Sequence, residues 1–131
     1  YPDICEQVMG DGWHIPSTSE WTTLHDFVLS QQSSETAEHL KATYGWSTLY
    51  YGDGVDTYGF EAIAPGTRYT TGYWPEDSGD LEALPGCISL WWENTGNDQA
   101  NVWVIRRDDL EMFEGINPNK GSGFQVRCII I

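Results

Sequence analysis

The residues best suited to chemistry in this chain are acids and amides set close together. Asp53-Gly54-Val55-Asp56 offers two carboxylates to a hard cation. Glu93, Asn94, Asn97 and Asp98 offer two carboxylates and two amides in a stretch rich in Gly and Asn. Calcium takes about six to eight oxygen ligands, and flexible loops of this kind supply them. The second group is therefore the candidate calcium site, and no other cofactor is expected. The competing reading is turn chemistry, in which Asp and Asn side chains bond their own backbone. The Asp53 stretch lacks the alternating ligands of an EF-hand, which excludes that form.

Other reactive side chains are dispersed. His14, His25 and His39 lie far apart. A zinc site built from them would need a further convergent ligand. His14, between Trp13 and Ile15, reads as a half-buried, hydrogen-bonded ring. Cys5, Cys87 and Cys128 form neither a Cys-x-x-Cys nor a close pair. One disulfide and one remaining buried thiol is the expected state, with the pairing open at this level. There is no Gly-rich phosphate loop, no Gly-x-Ser-x-Gly elbow and no His-Glu-x-x-His. The expectation is a non-enzymatic protein.

The whole chain has 131 residues, with 6 Lys and Arg against 20 Asp and Glu, for a formal charge of −14. The acids are spread along both halves, with no basic patch. Nucleic acid and anionic membranes need a clustered positive field, so neither is an expected partner. With 40% hydrophobic and 14% aromatic residues, the chain can bury the core of one domain over 1–131. No apolar run is long enough to span a bilayer. The chain opens on Tyr1, and a processed, mature chain is the simplest expectation from that.

The elements that must position these residues begin with a clear signal. Ser17 and Glu20 have capping-box spacing ahead of an apolar face at Trp21, Leu24 and Val28. This predicts a helix from about Thr18 to Leu29. A second helix is expected from Ser34 to Tyr44, with Glu38 facing Lys41 and Gly45 as the stop. Beyond Gly45, Gly, Asp and Asn punctuate short aromatic or β-branched runs. Strands are expected at Tyr58–Phe60, Thr67–Tyr73, Ile88–Trp92, Asn101–Arg106, Glu111–Glu114 and Phe124–Ile131. Trp74 to Gly86 reads as a long acidic loop. Helices first and strands later predict an α+β fold, two helices followed by a small antiparallel sheet with long loops.

Several segments, taken in order, resemble one family. They are Gly12-Trp13-His14-Ile15-Pro16-Ser17 with Glu20-Trp21, then Leu40-Lys41-Ala42-Thr43 with Gly45-Trp46. Asp56 to Ala62 runs on to Pro65-Gly66-Thr67-Arg68, and Trp91-Trp92-Glu93-Asn94-Thr95 precedes Gly123 to Cys128. The set is similar to the Fibrobacter succinogenes major paralogous domain over about 12–128. That resemblance implies a C-type-lectin-like fold, shared with formylglycine-generating enzymes. Those enzymes bind copper through a close cysteine pair that this chain lacks, so their activity is not carried over. Sugar-binding C-type lectins hold calcium through loops that Trp92-Glu93-Asn94 and Asn97-Asp98 only distantly echo. The resemblance also brings the first and last strands side by side, which would join Cys5 to Cys128 and leave Cys87 as a thiol. It makes Glu6 to Asp11 an insertion, expected to form a distinct hairpin or contact. Arg68 and Arg127 are expected to pair with carboxylates or carbonyls.

The leading expectation is a secreted bacterial C-type-lectin-like module for binding or adhesion at the cell surface. Its partner would be a protein or a glycan, met by an aromatic loop set. Tyr51, Tyr73 and Trp74 are the stacking candidates, with Tyr50 and Tyr69 beside them. The alternative is a self-assembling subunit of an extracellular filament or layer. Alternation along Phe124 to Cys128 stops at Ile129, Ile130 and Ile131, which makes those three the expected subunit contact.

Overall fold

A computed structural model describes residues 3–32, 34–66, 86–95, 101–116 and 124–130. Among them are three helices, α1 (Ile4–Met9), α2 (Thr18–Gln32) and α3 (Thr36–Leu40). The strands are β1 (Trp13–His14), β2 (Ile88–Glu93), β3 (Asn101–Arg106), β4 (Phe113–Ile116) and β5 (Ile129–Ile130). β2, β3 and β4 form an antiparallel sheet in that order, and β1 pairs with β5 in a second, antiparallel one. The fold is α+β, as expected, but with three helices rather than two.

The additional helix occupies the stretch expected to be a hairpin or contact. Asp3 caps it, with Oδ1 accepting from Cys5 N at 2.8 Å, and Gly10 ends it at a φ of 101°. The second carboxylate oxygen of Asp3 accepts from Ile15 N at 2.9 Å and ties α1 to the strand that follows. α2 starts where the capping box places it. Ser17 N donates to Glu20 Oε1 at 2.9 Å, and Glu20 N donates to Ser17 Oγ at 3.3 Å. No breaker intervenes after Leu29, and the helix continues to Gln32.

α3 is much shorter than the expected Ser34–Tyr44. Its chain turns extended at Lys41, where φ is −63° and ψ 140°. There Lys41 bridges Ala62, with Ala42 N donating to Ala62 O and Ala62 N to Leu40 O, both at 2.9 Å. A tertiary strand contact thus ends the helix before Gly45 does. Lys41 leaves the helix and does not face Glu38 along it. Its side chain is buried, with Nζ 4.7 Å from the centre of the Trp46 ring. Burial lowers its pKa, against the pull of Glu38, Asp109 and Asp108. Gly54 makes that burial feasible, since a Cβ there would collide with Lys41 Cβ and the backbone carbonyls of Glu38 and Lys41.

β2 and β3 lie close to their expected bounds. Register pairs Trp91 with Trp103 and Leu90 with Val104. Trp91, Trp103 and Ile105 pack in the main core with Trp21 and Val28 of α2. Leu90, Val102 and Val104 form a second cluster on the opposite face, joined by Trp92 and Phe124. Trp21 is the hub of the main core. Its ring lies 5.7 Å from Trp91, 6.2 Å from Trp103 and 6.3 Å from Phe60. Truncating such a residue costs about 3–5 kcal/mol.

Three expected strands differ. Tyr58–Phe60 is a turn, with Gly59 at a φ of 72° and Glu61 N donating to Asp56 Oδ1 at 2.8 Å. β4 begins at Phe113 rather than Glu111, because Glu111 caps α3 and Met112 N donates to Thr36 Oγ1 at 2.8 Å. The Phe124–Ile131 strand is broken in two. Gln125 bridges Trp91 at the edge of β2, and only Ile129–Ile130 pairs with β1. Between these contacts Cys128 is disulfide-bonded to Cys5, with the Cα atoms 5.5 Å apart. The bridge spans 123 residues, and the chain-entropy account gives such a closure about 5 kcal/mol. Cys87 is buried outside the bridge. The Thr67–Tyr73 strand and most of the Trp74–Gly86 loop lie outside the described residues. Among the described residues no helix is long and apolar enough to cross a membrane.

Candidate functional site

α2, the turn around Phe60 and the tail before β5 enclose an open cleft of about 260 Å³. Trp21 and Leu24 face it from α2, one helical turn apart, and Pro16, Phe60 and Ile129 complete its apolar wall. Two charged residues, Glu20 and Arg127, line it as well. The Arg127 guanidinium stacks 4.2 Å from the centre of the Phe60 ring, and Nη1 donates to Phe60 O at 2.8 Å. This carbonyl contact matches one of the two partner types expected for Arg127. No carboxylate among the described residues forms an ion pair with it. Trp21 is 2% exposed, and its indole N–H has no acceptor among the described residues.

Glu20 is differently placed. Its carboxylate accepts from His14 Nε2 at 2.8 Å and from Ser17 N at 2.9 Å. Burial pushes the Glu20 pKa up, but the Ser17 and His14 hydrogen bonds outweigh it and the carboxyl titrates below its ordinary range. The hydrogen bond to Glu20 raises His14 in return. The pair is therefore internally compensated, whereas Arg127 has no ion pair among the described residues.

A second polar cluster sits on the inner face of the sheet. Trp103 Nε1 donates to Glu93 Oε1 at 2.9 Å, with Glu93 6% exposed. Glu114, the register partner of Trp103, is hydrogen-bonded to Glu93 and pushed up to about 7 by that bond, by burial and by the Glu93 charge. Glu114 therefore keeps its proton far above the ordinary carboxylate range.

The candidate calcium ligands are not gathered by the described part of the chain. The Glu93 carboxylate is held by Trp103 and Glu114 on the inner face. Asn94 bridges Ser17, with its N donating to Pro16 O at 2.9 Å. Asn97 and Asp98 lie outside the described residues. Among the described residues no group of three or more His, Cys, Asp and Glu is placed to hold a metal. Asp53 and Asp56 perform turn chemistry, accepting from Trp46 N at 2.9 Å and Glu61 N at 2.8 Å. Each histidine has its own neighbour: Glu20 for His14, Asp26 for His25 and Thr57 for His39. Of the aromatic candidates, Tyr51 is exposed, and Tyr50 lies under Arg107 with 5.1 Å from ring centre to guanidinium carbon. Tyr69, Tyr73, Trp74, Arg68 and Ile131 lie outside the described residues. Ile129 and Ile130 are both exposed.

Sequence reasoning missed the cleft. The Trp21 and Leu24 spacing marks one wall, but Phe60 and Arg127 join it only through long-range packing. The Glu93–Glu114 pair depends on strand register, which no local signal carries.

These features define a class: a small α+β domain closed end to end by a disulfide, with an apolar cleft beside the bridge. Compared with known families, residues 5–129 match the Fibrobacter succinogenes major domain (Fib_succ_major), and the chain belongs to that family. Neither the curated proteins nor the solved structures contain a match to it.

Proposed function

We propose that the chain is a secreted, non-enzymatic binding module with a C-type-lectin-like fold that acts at a bacterial cell surface through the cleft beside Trp21. The single observation that carries this reading is the cleft itself. It joins aromatic walls to a guanidinium that forms no ion pair among the described residues, and binding sites are mostly apolar concavities with a few placed polar groups. The disulfide supports the extracellular setting, since such bridges persist in oxidising compartments. Leu24→Phe fills the cleft without touching a hydrogen bond. Labelled protein should bind intact cells of the source, and the filled variant should lose that binding while keeping its circular dichroism spectrum. Equal binding by both would remove the cleft from the function.

A second reading, the self-assembling subunit, has its own observation. α1, β1 and β5 are neighbours, and they expose Val8, Met9 and Ile130, with Val8 71% exposed. A two-residue strand bearing exposed Ile at the edge of a two-stranded sheet is a template for pairing. Light scattering of the parent and of Ile130→Lys tests it. A lower mass for the variant supports assembly through this edge, and equal masses remove the edge from it.

A further inference from the structure

Resting on the proposal that the cleft is a binding site, we infer that its ligand is a small aromatic carboxylic acid, with the ring between Trp21, Leu24 and Phe60 and the carboxylate on Arg127.

Size sets the first limit. At the density of protein interiors, about 260 Å³ holds about a dozen non-hydrogen atoms. That is one ring with a short acidic arm, free or at the end of a larger molecule that reaches out of the open cleft. Shape and polarity set the second. The walls are Pro16, Trp21, Leu24, Phe60 and Ile129, which reward apolar surface and offer aromatic faces and edges to a ring.

Charge decides the polar end. Arg127 spends Nη1 on the Phe60 carbonyl and stacks on the Phe60 ring, which fixes the guanidinium plane. A guanidinium carries five N–H donors in a rigid fork, so donors remain for a carboxylate. Among the described residues no carboxylate has taken them. Glu20, the nearby acid, is already held by His14 and Ser17. The net charge of −14 repels an incoming anion at distance, but physiological salt screens that repulsion beyond about 8 Å. Contact with Arg127 then outweighs it. A neutral aromatic of equal size lacks the charge-assisted bonds and binds more weakly.

The experiment is a titration of the full chain with phenylpropionate and with phenylpropionamide. It is followed by the Trp21 indole N–H signal and the backbone amides of α2 in heteronuclear NMR. The acid should shift these signals, and the amide should bind about tenfold or more weakly. Arg127→Gln should reduce the acid to the affinity of the amide and leave the amide unchanged. Arg127→Lys, which keeps the charge, should recover part of the difference. An unchanged NMR fingerprint elsewhere shows that both variants are folded. Should acid and amide bind equally, the cleft remains a binding site and the carboxylate assignment falls. Should neither bind, the assignment falls, while the cell-binding comparison with Leu24→Phe still judges the cleft. A peptide ending in Phe that binds where the free acid does not would also overturn the inference.

Discussion

Glu111 caps α3 from far along the chain: its Oε2 accepts the Thr36 hydroxyl at 2.9 Å, although 75 residues separate the two. The same carboxylate accepts from Glu35 N and Thr36 N, and Thr36 Oγ1 passes the link on to Met112 N. Glu35 stands at a φ of 59°, so the helix start depends on a remote side chain and not on a local cap.

Glu111→Ala should therefore destabilise the fold by about 1–2 kcal/mol, the usual value of a lost N-terminal cap. It also leaves Thr36, which is fully buried, without its acceptor. Urea unfolding measures the change. A loss below about 0.5 kcal/mol, the range of neutral surface changes, would show that the contact carries no stability.

Stability should fall as pH rises from about 4.5 to about 7. Glu114 is raised from 4.5 to about 7, so the folded chain keeps a proton that the unfolded chain gives up in that window. His14 adds the same sign, because its raised pKa contributes stability present below 6.5 and lost as pH climbs through the raised value. Glu20 and Glu111, both lowered, contribute stability above 4.5 that is lost in acid. The result is a maximum in mildly acidic solution. Glu114→Gln should flatten the descending limb, and melting temperatures across pH 4 to 8 measure it. A variant that keeps the parent's slope between pH 4.5 and 6.5, below the window of His14, would contradict the raised Glu114.

Peptide mapping without reduction should recover Cys5 joined to Cys128, with Cys87 alkylated only after unfolding, because it is 5% exposed. Removing the bridge should cost about 2–5 kcal/mol. Cys87 found in a disulfide would contradict the arrangement.

What was legible in the sequence was what local rules control. Ser17 and Glu20 announced α2, since a capping box satisfies its own donors within four residues. β2 and β3 were legible because each carries an unbroken apolar run, Leu90 to Trp92 and Val102 to Ile105. Asp3, Glu6 and Gly10 carried a start and a stop for α1, but the resemblance treats the stretch from Glu6 as an insertion. The end of α3 was not legible, because Ala62 ends it through a bridge to Lys41. The start of β4 was not legible either, because Glu111 serves Thr36 first. The cleft is partial in the same sense: Trp21 and Leu24 lie on one helical face, while Arg127 reaches Phe60 across 67 residues.

The bridge between Cys5 and Cys128 also sets the mechanics of the domain. Tension applied through the segments outside it strips β5 from β1 and then passes from one sulfur to the other, without reaching α2, α3 or the sheet of β2, β3 and β4. The 123-residue span behind the bridge cannot lengthen unless a covalent bond breaks. Under load, such a unit is an inextensible link that keeps Trp21, Phe60 and Arg127 inside the closed span, while Ile129 is drawn off the cleft with the flanking chain. A reductant turns the same unit into a slack tether, so thiol chemistry sets how far it stretches.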